Sequence, residues 1–218
     1  MAVDVKICGI TSEEAMAAAY ESGASFIGMV FYPPSPRSVT VERAQELLSL
    51  LPPELEPEEL ARVGLFVDPE DSLLDSVMNY VRLDILQLHG KETPERVEAL
   101  RQEYGLPVMK SLSIGSAEDL ARVDEWLDVA DWLLFDAKPP KGATLPGGNA
   151  ASFDWSLLQG KSWPLPWMLA GGLNVGNLEQ AVRQSGARIV DVSSGVEDAP
   201  GVKSPEKIKA FLDLALSL

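Results

Sequence analysis

The chain has one cysteine and one histidine among its 218 residues. A single thiol forms no internal disulfide, which excludes a stapled, disulfide-rich scaffold. A single imidazole, with no Cys/Asp cluster at ligand spacing, makes no metal site, so no bound metal is expected. Long apolar runs are missing too, and nothing approaches the ~20 consecutive residues of a membrane-spanning helix. The N-terminus lacks a basic-then-apolar leader, because Asp4 and Lys6 interrupt it at once. Cytoplasm is the expected location. Basic charge is also scarce: 18 Lys and Arg stand against 33 Asp and Glu, a formal net charge of −15. Such a surface repels the phosphates of nucleic acid and of an anionic membrane face, so neither is an expected partner. A small anionic ligand is compatible with this charge, since a few backbone amides and one or two cations hold a phosphate locally.

What the chain does have is an alternation that fills its whole length. Short apolar runs at Val3–Cys8, Ser25–Phe31, Arg62–Val67, Ile85–Leu88, Pro107–Leu112, Trp132–Phe135, Trp167–Ala170 and Ile189–Val192 read as strands. Amphipathic segments separate them. Ser12-Glu-Glu, Thr93-Pro94-Glu95 and Ser204-Pro205-Glu206 place a capping hydroxyl first and acid in the first turn, as helix starts do. In the last helix Ile208, Phe211, Leu212 and Ala215 share one face. Strand and helix alternating this many times predicts a (β/α)8 barrel of the α/β class, a TIM barrel, as one domain over residues 1–218. The competing doubly wound sheet usually carries Gly-x-Gly-x-x-Gly after its first strand, where this chain reads "CGITSEE".

In such a barrel the active site lies at the C-terminal ends of the strands. There the chain presents Cys8, "FYPPSPRS", Val67-Asp68, "QLHG", "KSLS", "FDAK", "LAGGL" and "DVSSGVE". The glycines of "AGGLN" and "SSGVE" follow the seventh and eighth strands, the two loops that hold phosphate in many barrels; as isolated features they are only tight turns. Lys6 and Cys8 have the same strand parity and both point inward, so the ammonium is expected to favour the thiolate and make Cys8 a base or nucleophile. A buried free cysteine is otherwise a small hydrophobe. Asp136 closes the sixth strand and either caps a turn or supplies the acid opposite Cys8. The prolines of "YPPSPRS" stiffen the loop carrying Arg37, which then reaches over the mouth to grip a carboxylate, unless it is a solvated surface side chain. His89 lines the pocket or satisfies a backbone group.

The fragments "KICGIT", "FYPPSPRSV", "GLFVD", "LDILQLHG", "LLFDAK", "PGGNAASFDW", "LAGGLNVGN" and "VDVSSGVEDAPGVKS" together resemble the phosphoribosylanthranilate isomerase family of tryptophan biosynthesis, in order from residue 5 to the last helix. The resemblance implies an Amadori rearrangement of N-(5-phosphoribosyl)anthranilate by general acid/base catalysis, with no cofactor. It implies Cys8 as general base and Asp136 as general acid, with Arg37 on the anthranilate carboxylate. Lys6, His89 and Asp191 would line the substrate, and Gly171, Gly172, Ser193, Ser194 and Gly195 would hold its phosphate. Family members are monomers, homodimers or parts of fused chains, and either of the first two is expected here. One departure is "PGGNA" at 146–150, where the family commonly reads "PGGTG", inside a connection (137–152) suited to a lid. Two alternatives stand beside this one. The first is a related phosphosugar isomerase barrel of histidine biosynthesis, which typically has aspartate at the position of Cys8. The second is a non-catalytic barrel that binds phosphate ligands.

Overall fold

A computed structural model describes residues 2–139, 142, 145, 147, 148 and 151–218. Asn149 and Ala150, the departure in the lid segment, lie outside the described residues. Eight strands close into one parallel barrel in sequence order: β1 Asp4–Cys8, β2 Phe26–Val30, β3 Ala61–Phe66, β4 Ile85–Leu88, β5 Val108–Ile114, β6 Trp132–Ala137, β7 Trp167–Leu169 and β8 Ile189–Val192. Closure is made by β1 on β8, with Lys6 in register with Asp191. The strands were anticipated to within about two residues. β6 runs further than expected, because its ladder to β5 continues through Ser113–Asp136 and Ile114–Ala137. Asp136 is therefore held within the sheet, not at its frayed end.

A strand buried on both faces needs apolar residues on both, and the alternation sorts them into two cores. Outward-facing Val5, Ile7, Ile27, Phe66, Leu86, Leu88, Leu133, Phe135, Val190 and Val192 pack under the surrounding helices. Inside the barrel Ala61, Val63, Ile85, Met109, Leu134 and Met168 form the plug. Polar side chains at the next inward positions, Lys6, Gln87, Ser111, Asp136 and Asp191, lie toward the C-terminal mouth and are buried. The barrel is thus filled at one end and chemical at the other.

The covering helices are α1 Glu13–Glu21, α2 Val41–Leu48, α3 Asp71–Tyr80, α4 Pro94–Tyr104, α5 Ala117–Leu120, α6 Leu178–Ser185 and α7 Pro205–Ser217. Ser12 and Thr93 cap α1 and α4 as their sequences foretell, accepting from Ala15 N and Arg96 N. Ser204 does not cap α7; its hydroxyl donates to Glu206 instead. Between β6 and β7 the described residues hold only a 3-10 turn, Trp155–Leu158, where an eighth helix was expected. Gly160, Pro164 and Pro166 break any helical ladder there. The outer face of β6 is covered by Trp163, whose ring lies 4.6 Å from that of Phe135 and 5.5 Å from that of Trp167. A short antiparallel hairpin, β9 Glu197–Ala199 and β10 Val202–Lys203, follows β8. No helix among the described residues is long and apolar enough to cross a membrane.

Candidate active site

A cavity of about 790 Å³, open mouth included, occupies the C-terminal end of the barrel. Cys8, Arg37, His89, Asp136, Gly171, Gly172, Asp191, Ser193 and Ser194 all line it. Lys6 and Gly195 are the two expected site residues that do not. Lys6 is fully buried beneath the floor, its ammonium 2.9 Å from Asp191 Oδ1. Gly195 is spent on packing: a Cβ there would fall 1.9 Å from the carbonyl oxygen of Leu173, so only glycine lets the β8 loop lie against the β7 loop. Among the described residues no group of three or more His, Cys, Asp or Glu is arranged to hold a metal ion.

The thiol of Cys8 behaves differently from the expectation. Burial pushes it above the ordinary thiol range, and the ammoniums of Lys6 and Lys203 only partly offset this. Lys6 fails as an activator because its charge is already paired. Burial works against that charge, but Asp191 and Cys8 together hold the ammonium above its usual range. Asp191 in turn disfavours a second negative charge on the sulfur. The resting group is a thiol, poised to be a strong base once ionised.

Asp136 is held by both oxygens. Oδ1 accepts from Ala137 N at 2.8 Å. Oδ2 lies 3.2 Å from His89 Nε2. The other ring nitrogen, Nδ1, is 3.1 Å from Gln87 Nε2, and Ser111 Oγ stands 3.5 Å from Nε2. The "QLHG" turn is itself braced, since the buried Glu92 carboxylate accepts from Asp68 N and Gly90 N and pairs with Lys110.

Arg37 is buried, not solvated, and it already grips a carboxylate. Its Nε and Nη2 bond the two oxygens of Glu197 at 2.8 and 2.9 Å. Glu197 also accepts from Lys203 at 2.6 Å, and Lys203 reaches Ser193 O at 3.0 Å. The β7 loop is fixed by Asn177, whose Nδ2 donates to Gly172 O at 2.9 Å and whose Oδ1 accepts from Asn174 N at 2.8 Å. Sequence reasoning missed Gln87, Asn174, Asn177, Glu197 and Lys203. Their signals were present in "QLHG", "GGLNVGN" and "GVEDAPGVK", where polar residues sit beside turns with no solvent-facing periodicity.

A closed (β/α)8 barrel with a thiol, a carboxyl and an imidazole around one pocket, rimmed by two glycine-bearing loops, has the arrangement of a barrel enzyme. A family model described as N-(5'-phosphoribosyl)anthranilate (PRA) isomerase matches residues 5–214. The chain belongs to that family. It is 63% identical over 215 residues to the N-(5'-phosphoribosyl)anthranilate isomerase of Paramagnetospirillum magneticum, covering 99% of this chain and 98% of that one. It is 56% identical to the enzyme of the same name from Rhodospirillum rubrum, covering 95% of each chain. Among solved structures, phosphoribosyl anthranilate isomerase from Thermotoga maritima superposes with a TM-score of 0.86 at 36% identity, covering 99% of this chain and 100% of that one. A phosphoribosyl anthranilate isomerase in complex with reduced 1-(o-carboxyphenylamino)-1-deoxyribulose 5-phosphate superposes with a TM-score of 0.81 at 34% identity, covering 99% of this chain and 100% of that one.

Proposed function

We propose that the chain isomerises N-(5'-phosphoribosyl)anthranilate to 1-(2-carboxyphenylamino)-1-deoxyribulose 5-phosphate, as a step of tryptophan biosynthesis, in the cytoplasm. The observation that carries this reading is that Cys8 and Asp136, from strands on different sides of the barrel, line one cavity. Asp136, as the acid, delivers a proton to the furanose ring oxygen while the C1–O bond breaks and C1=N forms. Cys8, after losing its thiol proton to solvent, acts as the thiolate base that removes the proton from C2, and the electrons of C1=N return to nitrogen. The resulting enol then tautomerises to the C2 ketone. Nothing is oxidised or reduced from outside, so one acid and one base suffice.

The rest of the site positions a substrate charged at both ends. The backbone of Gly171 and Gly172 with Ser193 and Ser194 forms the seat for the phosphate, and Gly195 keeps the two loops in contact. Arg37 takes the carboxylate of the aromatic ring. His89 bonds the acid, and Asp191 lies beside the sugar. Lys6 acts from beneath the floor through Asp191.

The test is turnover of N-(5'-phosphoribosyl)anthranilate by the purified protein, with growth of a tryptophan auxotroph lacking this isomerase. Cys8→Ala and Asp136→Asn should each lower kcat by roughly 10²–10⁴ while the fold is retained. Full activity in either folded variant removes that residue from its role.

A further inference from the structure

Three buried charged groups stand together behind the Arg37 side of the cavity: Arg37, Glu197 and Lys203. Glu197 and Lys203 are not part of the cavity lining, whereas Arg37 is. The guanidinium therefore has two sides with different occupants. Its Nε/Nη2 edge is filled by Glu197 in a bidentate pair, which is the strongest and most directional way to hold an arginine. On the cavity side the guanidinium meets the backbone of Gly148: Nη2 also donates to Gly148 O at 3.5 Å, and a Cβ on Gly148 would fall 2.5 Å from Nη1.

Charge points the same way. The trio holds two cations and one anion, and Lys203 pays for its burial with a pKa lowered by desolvation, against the pull of Glu197. Glu197 is held below the usual carboxylate range: burial pushes it up, and Arg37 and Lys203 more than offset that. A buried cluster with one surplus positive charge favours an anion on its cavity side. The hairpin carrying Glu197 and Lys203 is fixed rather than adaptable. Its turn residue Gly201 lies so close to the arginine loop that a Cβ would fall 2.3 Å from Pro36 O, and its carbonyl accepts from Thr11 Oγ1 at 3.1 Å. Lys203 ties the same unit to Ser193, whose hydroxyl donates to Cys8 O at 3.0 Å.

We propose that Glu197 is a positioning residue that clamps the Nε/Nη2 edge of Arg37, so that the remaining guanidinium face meets the substrate's aromatic carboxylate. The inference rests on Arg37 being the carboxylate grip. Lys203 shares Oε1 of Glu197 with Arg37 Nε, so the single carboxylate charge stays held by these two cations and away from the substrate.

The experiment compares Glu197→Gln, Arg37→Ala and the double variant on N-(5'-phosphoribosyl)anthranilate and on its aniline analogue, the same molecule without the carboxylate. Glu197→Gln should raise KM for the anthranilate substrate roughly tenfold, the scale of one charge-assisted contact, with kcat little changed. It should leave kcat/KM for the aniline analogue unaltered, and the double variant should be no worse than Arg37→Ala alone. Equal losses on both substrates with Glu197→Gln would show a merely structural role and overturn the proposal. So would a lowered KM, which would make Glu197 a competitor of the substrate carboxylate. Should Arg37→Ala itself treat the two substrates alike, the carboxylate grip fails first, and that failure is separable from the other two. Glu197→Asp, which keeps the charge but shortens the reach, covers the case of a Gln variant that does not fold and should show the same selectivity for the carboxylate substrate.

Discussion

His89 Nε2 sits 3.2 Å from Oδ2 of Asp136, while its Nδ1 sits 3.1 Å from the side-chain amide nitrogen of Gln87. With the Gln87 amide nitrogen turned to the ring it donates, and this orientation makes Nδ1 the acceptor and puts the ring proton on Nε2, aimed at the carboxyl. Gln87 gives up something for this, because among the described residues its own Oε1 is buried without a hydrogen-bond partner.

This tautomer is directly observable, since the chain has one histidine and its nitrogen resonances need no assignment. Long-range ¹⁵N–¹H correlation of the free protein should show the proton on Nε2. Gln87→Glu replaces the donor by an acceptor and should move or add a proton at Nδ1. Gln87→Glu should also lower kcat by about tenfold, the scale of one misdirected hydrogen bond near the reacting atoms. A wild-type ring protonated only on Nδ1 would contradict the arrangement.

The raised pKa of Cys8 gives a pH dependence with a definite sign. Burial favours the neutral thiol, so the thiolate is scarcer at pH 7 than in a free cysteine and becomes more abundant as pH rises. Alkylation of this sole cysteine should therefore climb with pH and reach its plateau above the ~8.5 midpoint of an ordinary thiol. Measuring modification rate against pH by mass spectrometry checks it. A plateau already reached near pH 7 would mean that Lys6 and Lys203 outweigh burial.

Gly195→Ala should damage the end of the site proposed to seat the phosphate without touching the proposed acid or base. The added Cβ would lie 1.9 Å from Leu173 O, so the β7 and β8 loops must move apart. Overpacking of this kind costs about 1–3 kcal/mol, and the loops that separate are those rimming the cavity beside Gly172 and Ser194. The expected result is a several-fold higher KM with a modestly lower melting temperature. Unchanged kinetics in the variant would take these loops out of substrate binding.

The barrel itself was legible because its signal is local: parity and apolar runs fix which residues of each strand face inward. Parity and the rule about strand ends put Cys8 and Asp136 at the mouth as candidates, and only the family resemblance gave them the roles of base and acid. The partners that decide their chemistry were not legible. Lys6 and Asp191 are 185 positions apart, and only closure of β1 on β8 sets them side by side. The expected activation of Cys8 failed for that reason, since a lysine in sequence is a charge without a known counterion. Arg37 was likewise foreseen as a gripping side chain, but its partner Glu197 lies 160 positions away across a hairpin. The helix expected before β7 and not found among the described residues was suggested by tryptophans and leucines that suit an aromatic cover as well as an amphipathic helix.

Lys6 and Asp191 form an ion pair whose side chains are 0% and 9% exposed, so the two residues should be far more costly to remove singly than together. Lys6→Met leaves a carboxylate facing an apolar wall and strips the thiol of its nearest cation. Breaking one side of such a pair typically costs about 3–5 kcal/mol, a large part of the ~5–15 kcal/mol that holds a domain together. At about 2–4 °C per kcal/mol for a chain of this size, the melting temperature should drop by roughly 6–20 °C. Lys6→Met with Asp191→Leu removes both charges and fills the space with carbon, so it should recover most of that loss in urea or thermal unfolding. Activity should not recover with stability, because Asp191 lines the cavity and its loss persists in the double variant. Equal destabilisation in the single and double variants would mean that packing of the lysine stem, not pairing of the charge, is what the floor of the site requires.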